Sequence, residues 1–319
     1  MKVICDGDPG HDDMLAFLLA AKHLELIGIT TVMGNQSLEK VTKNALKIVE
    51  FAGLTSIPVA KGMPRPLVNE PLYAPEIHGE TGLDGHALPE PTTPLADMHA
   101  VDFIISRVME NDDVTLVPTG PLTNIAAALI KEPRIAEKIS CISLMGGSLT
   151  YGNSTPAAEF NIYVDPEAAA VVFRSGIPIK TFGLNVTRQA EATEAEVERI
   201  RRIGTPVATI VADLLDFYRT SLMRVFGLKG ASLHDPCAVA VLIDPSIFVM
   251  QPMHVEIELK GEFTRGMTVC DYRHRRLTSD NLQGKDAVIR GKKPNAEVAV
   301  AIDKERFFDL LIDTLASYR

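Results

Sequence analysis

Four aspartates lie within eight residues near the start of the chain, in the segment Asp6-Gly-Asp8-Pro-Gly-His-Asp12-Asp13. Two carboxylates about 4 Å apart repel each other by about 4 kcal/mol at an effective dielectric constant of about 20. Helix capping and the helix dipole would explain one or two acids here, but not four. The cluster therefore favours a bound hard cation with oxygen ligands, either Ca²⁺ or Mg²⁺, over capping alone.

The residues around these aspartates predict how the carboxylates come together. Residues 1–5 have a short apolar strand pattern, and Pro9-Gly10 is a turn pair in which Gly10 is expected to adopt a positive φ. Apolar residues at helical spacing follow, namely Met14, Leu15, Leu18 and Leu19. Asp12 and Asp13 are thus expected at the cap and first turn of a helix, with Asp8 facing Asp13 across the turn.

Two other acidic loops do not fit this segment. An EF-hand needs an oxygen ligand at its fifth position and Glu at its twelfth, where this chain has Gly10 and Phe17. A phosphatase of the haloacid dehalogenase type also opens with a strand and Asp-x-Asp, but it needs Thr or Val where this chain has Gly10. Both classes are therefore disfavoured.

The composition favours small-molecule chemistry in the cytoplasm. The chain has 319 residues, 46% hydrophobic content and a net charge of −9, which argues against nucleic acid and anionic membranes as partners. Widely separated cysteines in apolar runs predict buried free thiols, at Cys5, Cys141, Cys237 and Cys270. No N-terminal signal pattern and no apolar run of bilayer length is present in the sequence.

Strand and helix patterns alternate along the chain. Strands are predicted at residues 1–5, 26–32, 114–117, 139–145 and 177–182, with strand-like runs at 248–259 and 267–271. Helices are predicted near residues 41–49, 122–130, 194–203, 206–226 and 236–243, and from residues 12, 165 and 304. These βα units predict one α/β domain over residues 1–319, with a doubly wound, mainly parallel, Rossmann-type sheet and extra loops and helices over the C-terminal strand ends.

Two segments stand outside this alternation. Residues 59–94 are Pro-rich and irregular, and within them residues 78–85 have the glycine content of a mobile lid, although a plain surface loop explains that composition equally well. Residues 273–276 form a basic patch.

Polar residues follow several of the predicted strands. Asp8, Asn35, Thr119, Met145 and residues 153–161 each come after a strand. Because ligands of a doubly wound sheet lie beyond the carboxyl ends of its strands, one crevice would collect these residues.

Three Asp-Pro pairs are predicted to open helices or turns. Asp before Pro is a common helix cap, and on that ground Asp165 and Asp244 are interpreted as structural. Asp235 differs because His234 precedes it, so this pair combines a carboxylate ligand with a proton donor.

Taken together, these motifs resemble the inosine–uridine-preferring nucleoside hydrolase family. The resemblance rests on the opening acidic motif and on Thr31-Val-Met-Gly-Asn35, Pro118-Thr-Gly-Pro-Leu-Thr-Asn124, Met145-Gly-Gly, Glu159-Phe-Asn161 and His234-Asp-Pro236. It runs in the family's order from residue 3 to about residue 245, and more weakly to the end. It implies a nucleoside hydrolase fold and the hydrolysis of a ribonucleoside to free base and ribose.

The resemblance also implies a Ca²⁺ site and a catalytic base. Ca²⁺ would be bound by the carboxylates of Asp8, Asp13 and Asp235 and by the backbone carbonyl of Thr119. The ion would also hold the 2′- and 3′-hydroxyls of the ribose and one water. Asp8 would take a proton from that water, which attacks the anomeric carbon through an oxocarbenium-like state. Asp6 is left as a scaffold for the loop.

Further residues would hold the rest of the substrate. By the resemblance these are Asp12, Asn35 and Asn161 at the 2′/3′ side, Asn153 and Glu159 at the 5′-hydroxyl, Met145 beneath the sugar, and His78 and His234 near the base. His234 is the candidate acid for the leaving base.

The resemblance extends to base preference and assembly. Purine-specific members stack the base between tryptophans, and this chain has no Trp. His234 before Asp235 is similar to the broad or pyrimidine-leaning group. Pyrimidine-specific members have Tyr and Gln on the preceding helix, where the counterparts here are Phe226 and Leu222. We therefore expect broad or pyrimidine-leaning specificity, and the family suggests a homodimer or a homotetramer.

Two alternatives stay open. A metal-dependent phosphohydrolase would use the pair Asp6 and Asp8, although the sequence has no P-loop. A nucleoside-binding protein without turnover would keep the metal and ribose ligands and lose the base or the acid, yet Asp8 and His234 are both present.

Overall fold

Strands and helices alternate through most of the chain. The computed structural model describes residues 1–271, 273 and 292–318. The strands are β1 Lys2–Gly7, β2 Glu25–Thr31, β3 Val59–Lys61, β4 Val114–Pro118, β5 Ile139–Met145, β6 Ile179–Phe182, β7 Glu191–Ala192, β8 Ala231–Ser232, β9 Phe248–Ile257, β10 Thr268–Asp271 and β11 Ala296–Ile302. The helices are α1 His11–His23, α2 Leu38–Phe51, α3 Pro75–His78, α4 Ala100–Glu110, α5 Thr123–Lys131, α6 Phe160–Val164, α7 Pro166–Phe173, α8 Leu184–Thr187, α9 Glu194–Arg201, α10 Pro206–Phe226, α11 Pro236–Ile243 and α12 Lys304–Ala316, with 3₁₀ turns at Pro133–Glu137 and Pro245–Ile247.

The central sheet has nine strands in the order β10-β9-β11-β6-β5-β4-β1-β2-β3. Each strand from β11 to β3 in this list is parallel to its neighbours within that group. Strand β9 is antiparallel to both β11 and β10. The predicted α/β fold with a mainly parallel sheet and flanking helices is therefore confirmed. The direction of winding reverses between β1 and β4, and a ligand crevice is expected at the carboxyl ends of the strands beside such a switch point.

Helices cover both faces of the sheet because the side chains of each strand alternate between two cores. In β1, Val3 and Cys5 belong to one core and Ile4 belongs to the other. The first core contains apolar residues of α1, α2, α10, α11 and α12, and the second contains those of α4, α5 and α7. Full burial of one such side chain is worth about 1.5–3 kcal/mol, so the two cores hold the strand ends in place.

Several elements are absent from the pattern-based prediction, and the two longest of them are β11 and α4. β11 contains three alanines in seven residues, a composition that is uncommon in strands, and it becomes a strand because it pairs with β6 on one side and β9 on the other. α4 directly follows the irregular stretch, although Val101, Ile104 and Val108 have helical spacing. Pairing and packing with distant residues decide both elements.

The Pro-rich stretch after residue 59 is irregular over most of its length, as predicted. It contains the short elements β3 and α3, and loops connect it to α4. The predicted basic patch at residues 273–276 lies outside the described residues apart from Arg273, which pairs with Asp271 at 2.7 Å. No helix in the described ranges is both long and apolar enough to cross a membrane.

The four cysteines are free, as predicted, but only two of them are buried. Cys5 and Cys237 are buried, whereas Cys141 and Cys270 are partly exposed. The prediction of burial is wrong for Cys141 and Cys270 because both lie at margins of the sheet, near the start of β5 and on the edge strand β10.

Asp165 caps α7, as expected for an Asp-Pro pair. Its Oδ1 accepts the Ala168 backbone N–H at 3.0 Å, and its Oδ2 accepts the Leu67 N–H at 2.9 Å and the Thr123 hydroxyl at 2.7 Å. This fully buried side chain therefore joins α7 to α5 and to the loop after β3.

Replacing Asp165 with Ala should destabilise the fold by about 2–4 kcal/mol, because the change removes a helix cap and leaves buried donors unpaired. Urea titration and thermal unfolding measure the loss. Asp244→Ala is the matched control, since Asp244 caps the short turn Pro245–Ile247 and pairs with Arg306 near the surface, where such contacts are worth little, and it should cost much less. Equal stability of the two variants would contradict the role assigned to Asp165.

Candidate active site

The residues predicted to do chemistry meet beyond the carboxyl ends of β1, β4 and β5, beside the switch point. A cavity of about 370 Å³ lies there. The predicted substrate residues that line it are Asp12, Asn35, His78, Met145, Asn153, Glu159 and Asn161. The predicted catalytic and metal-binding residues that line it are Asp8, Thr119, His234 and Asp235. Asp13, the remaining predicted ligand, is fully buried behind this lining.

Asp8 follows β1, and its carboxylate is held by the loop after β2. The Asn35 backbone N–H donates to Asp8 Oδ2 at 2.6 Å, and Asn35 Nδ2 donates to the Asp8 carbonyl at 3.1 Å. Glycines make room for the carboxylate, because a Cβ on Gly34 or Gly120 would collide with its oxygens. Burial, followed by the charge of Asp13, raises the pKa of Asp8 well above its usual range.

Helix α1 begins earlier than predicted, so Asp12 and Asp13 both lie in its first turn and neither is the N-cap. The N-cap is Gly10, whose N–H donates to Asp13 Oδ2 at 3.0 Å. The Thr119 hydroxyl donates to Asp13 Oδ1 at 2.6 Å. The Asp13 carboxylate thus connects the start of α1 to the end of β4.

The predicted positive φ at Gly10 is wrong. Its φ is −110° and its ψ is −156°, which is extended backbone. Glycine is required here for a close approach instead, because a Cβ would lie 2.6 Å from Nδ1 of the His78 ring. Gly10 therefore serves the packing of the cavity wall.

Asp235 lies next to the acidic turn although it is remote from it in the sequence. It occupies the N-cap position of α11 but, unlike Asp165, its side chain caps no helix N–H. Instead its carboxyl contacts that of Asp13, and oxygen atoms of Asp12, Asp13 and Asp235 lie within 4.8 Å of one another. The His234 backbone N–H donates to Asp12 Oδ2 at 3.2 Å. Because the Asp235 carboxylate caps no helix N–H, it can bind a ligand.

The buried cluster brings several acidic side chains close together. Burial, followed by the neighbouring carboxylates, raises the pKa of Asp12 to about 7 and that of Asp235 well above its usual range. None of the ion pairs in residues 1–271, 273 and 292–318 involves Asp8, Asp12, Asp13 or Asp235. A donor set of carboxylate and carbonyl oxygens fits a hard divalent cation.

Asn161 ties the end of β4 to the end of β5. Its Nδ2 donates to the Thr119 carbonyl at 2.7 Å and to the Met145 carbonyl at 3.3 Å. A carbonyl oxygen has two lone pairs, so the Thr119 carbonyl can accept a further ligand. Since both carbonyls engage the amide nitrogen, Asn161 Oδ1 is left as an acceptor at the cavity.

Glu159 and Asn153 line the cavity beside the start of α6. Glu159 Oε1 accepts the Asn161 N–H and its Oε2 accepts the Gly147 N–H, both at 2.9 Å. Burial raises the pKa of Glu159 to about 7. Asn153 Oδ1 accepts the Phe160 N–H at 2.8 Å, so the free polar group of Asn153 is its amide nitrogen.

One wall of the cavity is apolar and aromatic. It is formed by α10 and the loop after it, through Tyr218, Leu222, Val225, Phe226 and Leu228. His234 lies near this wall, with its Nδ1 2.7 Å from the Thr187 hydroxyl. Burial, followed by the charge of Arg188, lowers the pKa of His234 to about 3, so this imidazole is neutral.

His78 is supported by His11, a residue of the acidic motif to which sequence reasoning assigned no role. His11 Nδ1 lies 3.1 Å from His78 Nδ1, and His11 Nε2 lies 2.7 Å from the Asp84 carbonyl. The Tyr218 ring stacks on both imidazoles, with centroid distances of 5.1 and 5.2 Å. His11 therefore connects the cavity wall to the segment 78–85.

The segment 78–85 is bound to the body of the protein at several points. Asn44 Nδ2 donates to the Thr81 carbonyl at 2.9 Å, and Gln36 Nε2 donates to the Gly79 carbonyl at 3.0 Å. Its movement as a lid stays a prediction.

Asp6 stands apart from the other three aspartates of the motif. Its Oδ1 accepts the Thr30 hydroxyl at 2.5 Å and the Asn124 side-chain N–H at 2.7 Å. Asp6 is fully buried, and these bonds connect β1 to β2 and to α5. The scaffold role that we expected for Asp6 agrees with these contacts.

Sequence reasoning also missed Arg188, which lines the cavity together with His234. No motif points to it. The one available signal is its position. Thr187 and Arg188 come shortly after β6, and polar residues that follow other central strands line the same cavity.

Comparison with known proteins agrees with this geometry. The family model described as inosine-uridine preferring nucleoside hydrolase matches residues 3–309. A pyrimidine-specific ribonucleoside hydrolase RihA from Shewanella sp. (strain MR-7) is 48% identical over 99% of this chain and 96% of its own length, and one from Enterobacter sp. (strain 638) is 45% identical over 100% and 98%. The solved structure of a purine-preferring ribonucleoside hydrolase from Gardnerella vaginalis superposes with a TM-score of 0.89 at 35% identity, covering 100% of this chain and 99% of that one. The chain therefore belongs to the inosine-uridine preferring nucleoside hydrolase family and is an enzyme of that class.

Proposed function

We propose that this enzyme hydrolyses pyrimidine ribonucleosides to free base and ribose, with Ca²⁺ as cofactor and Asp8 as the general base. The observation that carries the proposal is a single cavity with buried carboxylates, including Asp8, Asp12 and Asp235, on one side and the aromatic and apolar wall of α10 on another. Such a cavity suits a ligand that has a polar sugar at one end and a flat base at the other.

The proposed Ca²⁺ site consists of the carboxylates of Asp8, Asp13 and Asp235 and the carbonyl of Thr119. When bound, the ion supplies positive charge that holds the 2′/3′-diol and lowers the pKa of a water molecule in contact with it. Ca²⁺ is preferred over Mg²⁺ because the protein offers several carboxylate and carbonyl oxygens, whereas Mg²⁺ usually keeps several of its waters.

Asp8 takes a proton from the attacking water as the bond from the water oxygen to C1′ forms. The C1′–N bond breaks, and its electron pair stays on the base. Negative charge near C1′ stabilises the oxocarbenium-like state through which glycosidic bonds break. Asp12, Asn35 and Asn161 hold the 2′- and 3′-hydroxyls, for which Asn161 Oδ1 is an available acceptor.

The remaining sugar contacts are proposed for residues that follow β5. Asn153 and Glu159 hold the 5′-hydroxyl, which can accept from the free amide of Asn153 and donate to Glu159. Met145 packs beneath the sugar. Its backbone is held by Asn161, so the apolar side chain is fixed next to the diol ligands.

Pyrimidine preference is supported by the relatives and by the absence of tryptophan from the sequence. The Shewanella and Enterobacter relatives named pyrimidine-specific are 48% and 45% identical, whereas the neighbour named purine-preferring is 35% identical. His78 and His234 lie near the base. His234 is the proposed acid. The Thr187 hydroxyl contacts Nδ1, so the Nε2–H faces the departing base. The proton that the base takes from Nε2 is replaced, through solvent, by the proton that Asp8 removed from the water.

Three features of the whole protein stay predictions. From the family resemblance we expect a homodimer or a homotetramer, and from the composition a cytoplasmic enzyme with no nucleic-acid or membrane partner. We also expect residues 1–319 to form one catalytic domain.

Replacing Asp8 with Asn should lower kcat for uridine about 10³-fold, because the amide cannot accept the proton but retains an oxygen for the Asn35 N–H. Release of reducing sugar measures the rate, and circular dichroism checks the fold. Asp112→Asn, which removes the same charge from a fully exposed turn, should leave the rate unchanged. A rate near that of the wild type would remove Asp8 from the role of base.

Chelation should abolish nucleoside hydrolysis, and Ca²⁺ should restore it better than Mg²⁺. Ca²⁺ should also raise the thermal unfolding temperature of the wild type and of Asp244→Ala, but not of Asp235→Ala, which lacks one proposed ligand. Recovery by Mg²⁺ alone, with phosphate released from uridine 5′-monophosphate, would assign a phosphohydrolase. Ca²⁺-dependent ribose binding without turnover would assign a binding protein.

Replacing His234 with Ala should reduce kcat unequally for inosine and uridine, because a general acid contributes about 10²–10⁴-fold only where the leaving base depends on protonation. Initial rates on the two nucleosides at saturating Ca²⁺ measure the difference. An equal loss on both substrates would show that His234 only shapes the site.

A further inference from the structure

The cavity is rich in carboxyl groups, and the positively charged side chain of Arg188 also lines it. Among the residues that the structure describes, Arg188 is the one Lys or Arg in this lining. The carboxyl groups in the same lining belong to Asp8, Asp12, Glu76, Glu159 and Asp235. A guanidinium stays charged at every pH at which an enzyme works, so Arg188 is a fixed positive charge in this site.

The backbone places Arg188 next to His234. It is the C-cap residue of α8, and its N–H donates to the Leu184 carbonyl at 3.2 Å. The preceding residue, Thr187, contacts His234 Nδ1 at 2.7 Å. The side chain of Arg188 therefore starts from a fixed point beside the proposed base-binding wall.

Two aromatic rings hold the guanidinium without using its hydrogen-bond donors. Its central carbon lies 4.9 Å from the centroid of Tyr151 and 5.9 Å from that of Phe226. Ring faces attract a cation through their quadrupole, which leaves the N–H groups available. In residues 1–271, 273 and 292–318, the Arg188 side chain has no hydrogen bond and no ion pair. The half-buried guanidinium is thus oriented and has uncommitted donors.

Two parts of a nucleotide-like ligand lie within reach of such a cation, namely the base and a 5′-substituent. Phe226 ends α10, which forms the base wall, and the loop that carries Tyr151 also carries Asn153 on the 5′ side. An anionic 5′-group would meet the carboxyl of Glu159. The base is therefore the favoured partner.

The chemistry of the leaving group explains why a cation is useful there. When the C1′–N bond of a pyrimidine nucleoside breaks, the electron pair goes to the ring, and negative charge spreads to the exocyclic oxygens. A preorganised donor aimed at such developing charge can be worth about 10²-fold in kcat or more.

We propose that Arg188 is a further catalytic residue that donates its free N–H groups to an exocyclic oxygen of the departing pyrimidine and stabilises the charge that develops there. The inference rests on the proposed pyrimidine hydrolase function and assigns the positive charge at the base end to this side chain. It also assigns Tyr151 and Phe226 the task of orienting that charge.

The test compares Arg188→Met and Arg188→Lys on uridine and 5-fluorouridine, whose base is the better leaving anion. Arg188→Met should lower kcat on uridine by about 10²-fold, with a clearly smaller loss on 5-fluorouridine and little change in KM. Arg188→Lys should recover part of the loss because it keeps the charge. Arg202→Met, a change at an exposed arginine that pairs with Glu198, is the control and should behave as the wild type.

A second measurement is independent of turnover. Barbiturate, a pyrimidine that is an anion at neutral pH, should bind the wild type at least about tenfold more tightly than Arg188→Met in the presence of ribose and Ca²⁺. Equal losses on both nucleosides, or equal barbiturate affinities, would overturn the inference. A wild-type preference for uridine 5′-monophosphate that is lost in Arg188→Met would overturn it as well. Absence of uridine hydrolysis by the wild type would contradict the proposed function, and barbiturate binding would still decide the role of Arg188.

Discussion

Mutual repulsion between buried carboxylates is the constraint on which the rest of this structure depends. Asp8, Asp12, Asp13 and Asp235 are almost entirely buried, and burial, followed by the charges of the neighbouring aspartates, raises the pKa values of Asp8, Asp12 and Asp235. Backbone N–H groups of the turn and the Thr119 hydroxyl offset part of this cost through hydrogen bonds. The proposed cation would offset the remaining repulsion. The same ion would therefore stabilise the folded protein and take part in the reaction.

The sheet accommodates this arrangement at its switch point. Strands β1 and β4 end side by side there, and glycines at the ends of neighbouring loops leave the space that the Asp8 carboxylate fills. The cavity is polarised as a result, with carboxylates around the proposed sugar site and with rings and the Arg188 guanidinium toward the proposed base site. A reaction that develops positive charge on the sugar and negative charge on the base matches this polarity.

The three Asp-Pro pairs that precede helical turns, at Asp165, Asp235 and Asp244, show that the same local sequence can have different roles. Asp165 and Asp244 accept N–H groups of the helical turns that they open, whereas Asp235 accepts none and contacts Asp13. The preceding His234 is the local hint that Asp235 differs, and its own backbone N–H is bonded to Asp12, 222 residues away along the chain. The packing of α11 against α1 places Asp235 in the acidic cluster, whereas the other two aspartates stay at the helical turns that they cap.

Residue patterns predicted the α/β class and most strands and helices, because side-chain periodicity and turn chemistry are local properties. The family resemblance, carried by short motifs, supplied most of the polar residues that line the cavity. The tertiary structure decided what depends on distant neighbours. β11 is a strand because it lies between β6 and β9, Gly10 is needed for the approach of His78, and α1 is capped by Gly10 rather than by Asp12. The surroundings of Arg188 were likewise invisible in the sequence. Contacts between remote segments set the direction and charge environment of a side chain, and no local pattern records them.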